Sequence, residues 1–222
     1  MDKILKIYAV LLEKYGPQGW WPILDSESNS VYDKNFPTRR RDEKEKFEIY
    51  IGAILTQNTS WQNVEKALHN LKSSNFLSME EIKTIDNRKL ARLIKPSEYY
   101  NKKAKKIKEI IKFLKSGKEA NRENLLSVWG VGPETADSIL LYAYNQPIFV
   151  IDAYTKRIMN RLGFEEQTYD ELQGLFMKNL PKDVQVYNEY HALLVRLGKE
   201  CCKKNPDCEE CPILKNCKKS KS

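Results

Sequence analysis

The sequence predicts an all-α protein. Three observations carry that expectation. Apolar residues recur every three or four positions along most of the 222-residue chain. No segment alternates with a period of two over a useful length. All five cysteines lie at or beyond residue 201, which leaves the body of the chain to ordinary apolar packing.

The first helix is expected over residues 3–14, with Ile4, Leu5, Tyr8, Leu11 and Leu12 at helical spacing and charges between them. Residues 24–42 carry Ser, Asn, Asp and Pro without an apolar period, which predicts a long surface loop. Helical spacing resumes over 43–56 through Phe47, Ile51, Ile54 and Leu55. It continues over 61–71 through Val64, Ala67, Leu68 and Leu71. Short helices follow at 78–84 and 87–94. In 101–115 one face holds Ala104, Ile107, Ile111 and Leu114, and the seven lysines around it read as a solvated surface. A helix, a glycine turn and a second helix run from 122 to 144. Helices at 153–162, 168–178 and 184–199 complete the set. The best strand candidate, PIFVID at 147–152, is too isolated to pair.

Hydrophobic residues make up 41% and charged residues 31%, as in a folded domain rather than a disordered chain. A net charge of +8 favours an anionic partner, with nucleic acid the commonest. There is no run of eighteen apolar residues, and the N-terminus does not read as a signal peptide. The expected setting is cytoplasmic and nucleoid-associated, with reduced thiols. Clustered cysteines there read as metal ligands rather than disulfides. The spacing Cys201-x6-Cys208-x2-Cys211-x5-Cys217 allows a single Zn2+ or a cubane iron–sulfur cluster, and the wider gaps suit the larger body. Cys202 is left over and reads as a buried small hydrophobe.

Gly130-Val131-Gly132 leads into Pro133 and an apolar helix through Ala136, Ile139, Leu140 and Ala143. A glycine-bordered turn at a helix N-terminus offers backbone N–H groups that hold a phosphate without reading bases. Val131 would pack between the two helices. Asp152, just ahead of the next helix, reads either as an N-cap or as a reacting carboxylate.

These stretches resemble the endonuclease III branch of the helix-hairpin-helix DNA glycosylases. GVGPETA is similar to the hairpin of that superfamily, VIDAYTKRIMNRLG to the stretch around its catalytic aspartate, LTQNTSW at 55–61 to its L-x-x-Q-x-T segment, and the cysteine spacing to its iron–sulfur loop. The resemblance covers roughly residues 46–217. It implies two helical domains: 1–40 with 145–222, carrying a [4Fe–4S] loop at 201–217, and a six-helix domain at 41–144 with the hairpin at 122–144. It further implies double-stranded DNA with a damaged base lying in the cleft, bound by a monomer. Asp152 would be catalytic, and Gln57 would fill the gap in the opened duplex. Gly130, Val131, Gly132 and Thr135 would contact DNA. Lys203, Lys204, Lys215, Lys218 and Lys219 would form a basic loop pinned by the cluster.

Glu134 stands where bifunctional members carry a Schiff-base lysine, and a carboxylate cannot form that adduct. Trp129 stands where proline is common. The Trp20-Trp21-Pro22 sequence, LTQNT and Glu134 together resemble the 3-methyladenine glycosylases. In that branch a tryptophan and an aromatic at the position of Trp61 sandwich the extruded base, and a lysine near Lys199 lines the pocket, in some cases carbamylated. That branch lacks the cysteine loop. The implied activity is a monofunctional base-excision glycosylase for alkylated purines. The alternatives are a glycosylase for oxidised, deaminated or mispaired bases, a bifunctional glycosylase and lyase, and a non-catalytic DNA-binding protein.

Overall fold

The computed structural model describes residues 3–34, 40–166 and 168–218. Lys219 of the expected basic loop lies outside them. Among the described residues the chain is helical almost throughout. The helices are α1 (Lys3–Tyr15), α2 (Glu43–Leu55), α3 (Trp61–Ser73), α4 (Met79–Thr84), α5 (Asn87–Leu93) and α6 (Tyr100–Lys115). They continue with α7 (Arg122–Leu126), α8 (Pro133–Tyr144), α9 (Ala153–Leu162), α10 (Tyr169–Asn179) and α11 (Val184–Glu200). No described helix is long and apolar enough to cross a membrane.

Two compact units result. One is built from the ends of the chain, up to Trp20 and from Gln146 onward; the other holds Trp21–Tyr32 and the run that ends at Asn145. In this second, central unit α2 is buried on every side from Phe47 to Leu55, so it forms the middle of the core and packs along α8. Local signals set its start: Asp42 accepts the Glu45 N–H, and the Glu45 side chain accepts the Asp42 N–H in return. Ser78, Asp86 and Asn121 cap α4, α5 and α7, each side chain accepting the N–H three residues on.

The segment expected as a surface loop from residue 24 departs from that reading. Ile23–Leu24 (β1) and Ser30–Val31 (β2) pair antiparallel, and Leu24 is buried. Residues 21–32 therefore join the central helices, where the expected boundary at residue 40 had put them with the termini. Side chains of the central helices hold them there. Trp21 lies so close to Gly52 that a Cβ at residue 52 would meet its ring at 2.8 Å. Arg41 donates to the Trp21 carbonyl at 3.0 Å, and the Leu24 N–H donates to Glu48 at 2.8 Å. Lys72 donates to the carbonyls of Leu24 and Asp25.

In the terminal unit an aromatic cluster fills the core. Phe149 stacks on Phe176 at 4.0 Å, and Tyr187 and Tyr190 meet Phe149 edge-on. Segment 147–152 forms no strand. Side chains satisfy its backbone instead: Gln173 donates to the Phe149 carbonyl at 2.7 Å, and the Ile151 N–H reaches the Tyr169 hydroxyl. Phe149, Val150 and Ile151 are all buried, so the residue that follows them is fixed in place.

Candidate active site

That residue is Asp152. It is the N-cap of α9, with Oδ1 accepting the Thr155 N–H at 2.7 Å. Oδ2 lies 3.7 Å from Nε2 of His191 on α11, and the two side chains are 13% and 8% exposed. Burial pushes the carboxyl up. The His191 imidazole and the Thr155 amide and hydroxyl outweigh it and hold the group below the ordinary carboxylate range. The positive end of the α9 dipole acts in the same direction. Asp152 is thus an N-cap and, in addition, a half-buried carboxylate whose second oxygen faces His191.

His191 carried no signal in the sequence. It is one of two histidines and sits among apolar residues of an amphipathic helix, where a lone histidine looks like any core residue.

The glycine turn belongs to the central unit. Gly130 has φ of +87°, and Gly132 is the N-cap of α8 with no side-chain bond of its own. Val131 is buried, as a residue packed between helices should be. Arg122 of α7 grips the buried Asp137 of α8 through a forked pair at 2.9 and 3.4 Å, which fixes the hairpin angle. Gln57, just past α2, belongs to the same assembly. Its Nε2 donates to the Gly130 carbonyl at 3.1 Å and to the hydroxyl of Thr135 at 2.9 Å. Trp129, beside the turn, is 58% exposed.

The tryptophans divide. Trp21 and Trp61, 3% and 7% exposed, touch each other edge-on with centroids 5.0 Å apart, and Trp21 also meets Tyr142. A base cannot be sandwiched between two rings already in contact, so this pair is core packing. Trp20 is half-buried, Glu134 is exposed in the first turn of α8, and Lys199 is exposed in the last turn of α11.

Cys201, Cys208, Cys211 and Cys217 line one cavity of about 260 Å³ with Cys202. Among the described residues no three His, Cys, Asp or Glu side chains are drawn in closely enough to hold a single ion. Burial pushes the Cys211 thiol up to about 11. Two arginines of α9, both within the VIDAYTKRIMNRLG stretch, tie the loop down. Arg157 donates to the Cys202 and Gly198 carbonyls, and Arg161 to the Lys203 and Lys204 carbonyls. Arg161 also donates to the Cys202 sulfur at 3.1 Å, which makes that residue a hydrogen-bond acceptor rather than a mere small hydrophobe.

Comparison with known proteins bears on this arrangement. The family model described as HhH-GPD superfamily base excision DNA repair protein matches residues 51–182. A provisionally named DNA repair glycosylase of Methanocaldococcus jannaschii is 44% identical, over 97% of this chain and 96% of its own length. Endonuclease III of Thermotoga maritima is 34% identical, over 83% of this chain and 87% of its own. Among solved structures, the H. pylori 3-methyladenine DNA glycosylase (MagIII) bound to 1,N6-ethenoadenine matches with a TM-score of 0.69 and 29% identity. It covers 90% of this chain and 98% of that one.

Proposed function

The chain belongs to the HhH-GPD superfamily of base excision DNA repair proteins, and from that premise we propose a monofunctional DNA glycosylase that hydrolyses the N-glycosidic bond of alkylated purines. The observation that carries the reading is Asp152. A carboxylate held ionised at the head of α9 suits the oxocarbenium-like sugar that forms as the base departs. Its Oδ2 orients a water and takes the water's proton as the oxygen bonds to C1′. The glycosidic electron pair leaves with the base. A purine alkylated at N3 or N7 is cationic and departs neutral, so no strong general acid is required.

Glu134 supports the monofunctional half of the proposal, because a carboxylate at that place in GVGPETA cannot form an imine with the sugar. MagIII, a 3-methyladenine glycosylase with an ethenoadenine in its crystal, supports the substrate class. Extruding the nucleotide costs a few kcal/mol, and stacking on an aromatic returns about 1–3 kcal/mol per base. With Trp21 and Trp61 committed to each other, stacking falls to Trp20. The hairpin amides hold a backbone phosphate and Gln57 fills the vacated stack. A [4Fe–4S] cluster on the four thiolates would supply cross-links to a loop with little apolar core, while Arg157 and Arg161 hold its carbonyls. Purified protein is expected to contain about four iron and four sulfide per chain, and Cys208→Ala to lose both. Stoichiometric zinc instead would end the cluster assignment.

A second reading, a glycosylase for a neutral oxidised, deaminated or mispaired base, draws support from the closed Trp21–Trp61 contact and the likeness to endonuclease III. Duplexes with one lesion each, scored for base release and separately for nicking, decide between them. Release of 3-methyladenine or 7-methylguanine without nicking, and without an adduct after borohydride, is the expected result. Nicking with a trapped adduct would overturn it.

A further inference from the structure

Two lysines one turn apart on α6 face inward rather than to solvent. Lys103 is buried and donates to the Leu55 carbonyl, the last residue of α2, at 2.7 Å, and also to the Ser97 carbonyl. It anchors the backbone from which the 56–60 turn leaves. Lys106 reaches that turn's side chain, donating to Oε1 of Gln57. Its stem occupies the space beside Gly130, where a Cβ would stand 2.5 Å from Lys106 Cγ. Gly130 is therefore required both for its φ and for this close approach. With Nε2 donating to Gly130 and Thr135, both ends of the Gln57 amide are engaged.

We infer that Lys106 is a positioning residue: it locks the Gln57 amide onto the glycine turn, so that the residue filling the opened duplex and the hairpin gripping its phosphate move as one body. This rests on the reading of Gln57 given above. An unlocked Gln57 samples many rotamers, and the entropy of ordering it then falls on the base-extrusion step. Lys106 acts through Gln57 and not as a phosphate ligand.

The test is Lys106→Met, which keeps the stem against Gly130 and removes the ammonium. Side-chain amide NMR of Gln57 is expected to show exchange with water at least tenfold faster in the variant. Single-turnover base release is expected to fall roughly tenfold, with affinity for undamaged duplex and its salt slope unchanged. In a Gln57→Ala background the same substitution should cost nothing further. An equal loss in both backgrounds, or a salt slope reduced by about one, would make Lys106 a direct DNA contact and overturn the inference. So would full activity, or unchanged Gln57 exchange. If wild type releases no base from any lesion, the glycosylase reading fails, and the exchange measurement still decides the lock. Should Lys106→Met not fold, Gln57→Met removes the same bonds from the other side. It must then leave the Lys106 ammonium exchanging faster, or the network is refuted.

Discussion

Asp152 and Glu48 are both shielded from water, and each accepts one main-chain N–H, from Thr155 at 2.7 Å and from Leu24 at 2.8 Å. Their charges nevertheless diverge. Burial dominates at Glu48 and pushes it from 4.5 to about 7, the Leu24 amide and Lys72 pulling the other way. At Asp152 burial is outweighed and the carboxyl stays ionised. Glu48 lies inside α2, far from a helix start, and its cationic neighbours are engaged elsewhere: Lys72 on the Leu24 and Asp25 carbonyls, Arg41 on Trp21. Asp152 has a helix N-terminus and His191. Burial alone does not set the role of a carboxylate; what faces its second oxygen does. One group is suited to chemistry, the other to holding the Trp21–Asp25 segment.

Substitutions at the two sites break this contrast in measurable ways. Asp152→Asn keeps the cap but removes the charge, and it is expected to lower turnover by about 100-fold or more with DNA binding intact. Undiminished turnover would leave Asp152 as a cap alone. His191→Phe is expected to slow base release by about tenfold and to move the acid limb of kcat/KM to higher pH, since a partner that lowers the Asp152 pKa is lost. An unmoved limb would remove His191 from the account.

Glu48→Gln should act on stability and leave catalysis alone. A carboxyl raised in the folded state destabilises it once ionised, so the penalty grows as pH rises from about 4.5 to 7 and is complete above that. The amide can still accept the Leu24 N–H. The variant is expected to gain on the order of 2 kcal/mol at pH 8 and almost nothing at pH 4. Equal melting temperatures at pH 8 would show that Glu48 ionises as easily in the folded protein as in the unfolded one.

The helices were legible because each buries one periodic stripe; the expected spans at 43–56, 101–115 and 153–162 lie within a residue of α2, α6 and α9. The glycine turn was legible for a similar local reason. What escaped depends on partners far along the chain. β1 and β2 are two residues each, too short for a period to register. Lys103 and Lys106 look like their solvated neighbours until Leu55 and Gln57 are seen to accept from them. Trp21 and Trp61, forty residues apart, read equally well as a base pocket or as core until their rings are found in contact.

The central claim is that Asp152 enters the reaction already ionised. The pH dependence of single-turnover release of an alkylated purine tests it most directly, because a cationic leaving base needs no protonation. The rate should stay level as pH falls from 7 to about 5, as for a carboxyl held below its usual range. A rate that falls away near neutrality, as a carboxyl shifted upward like Glu48 would give, contradicts the account.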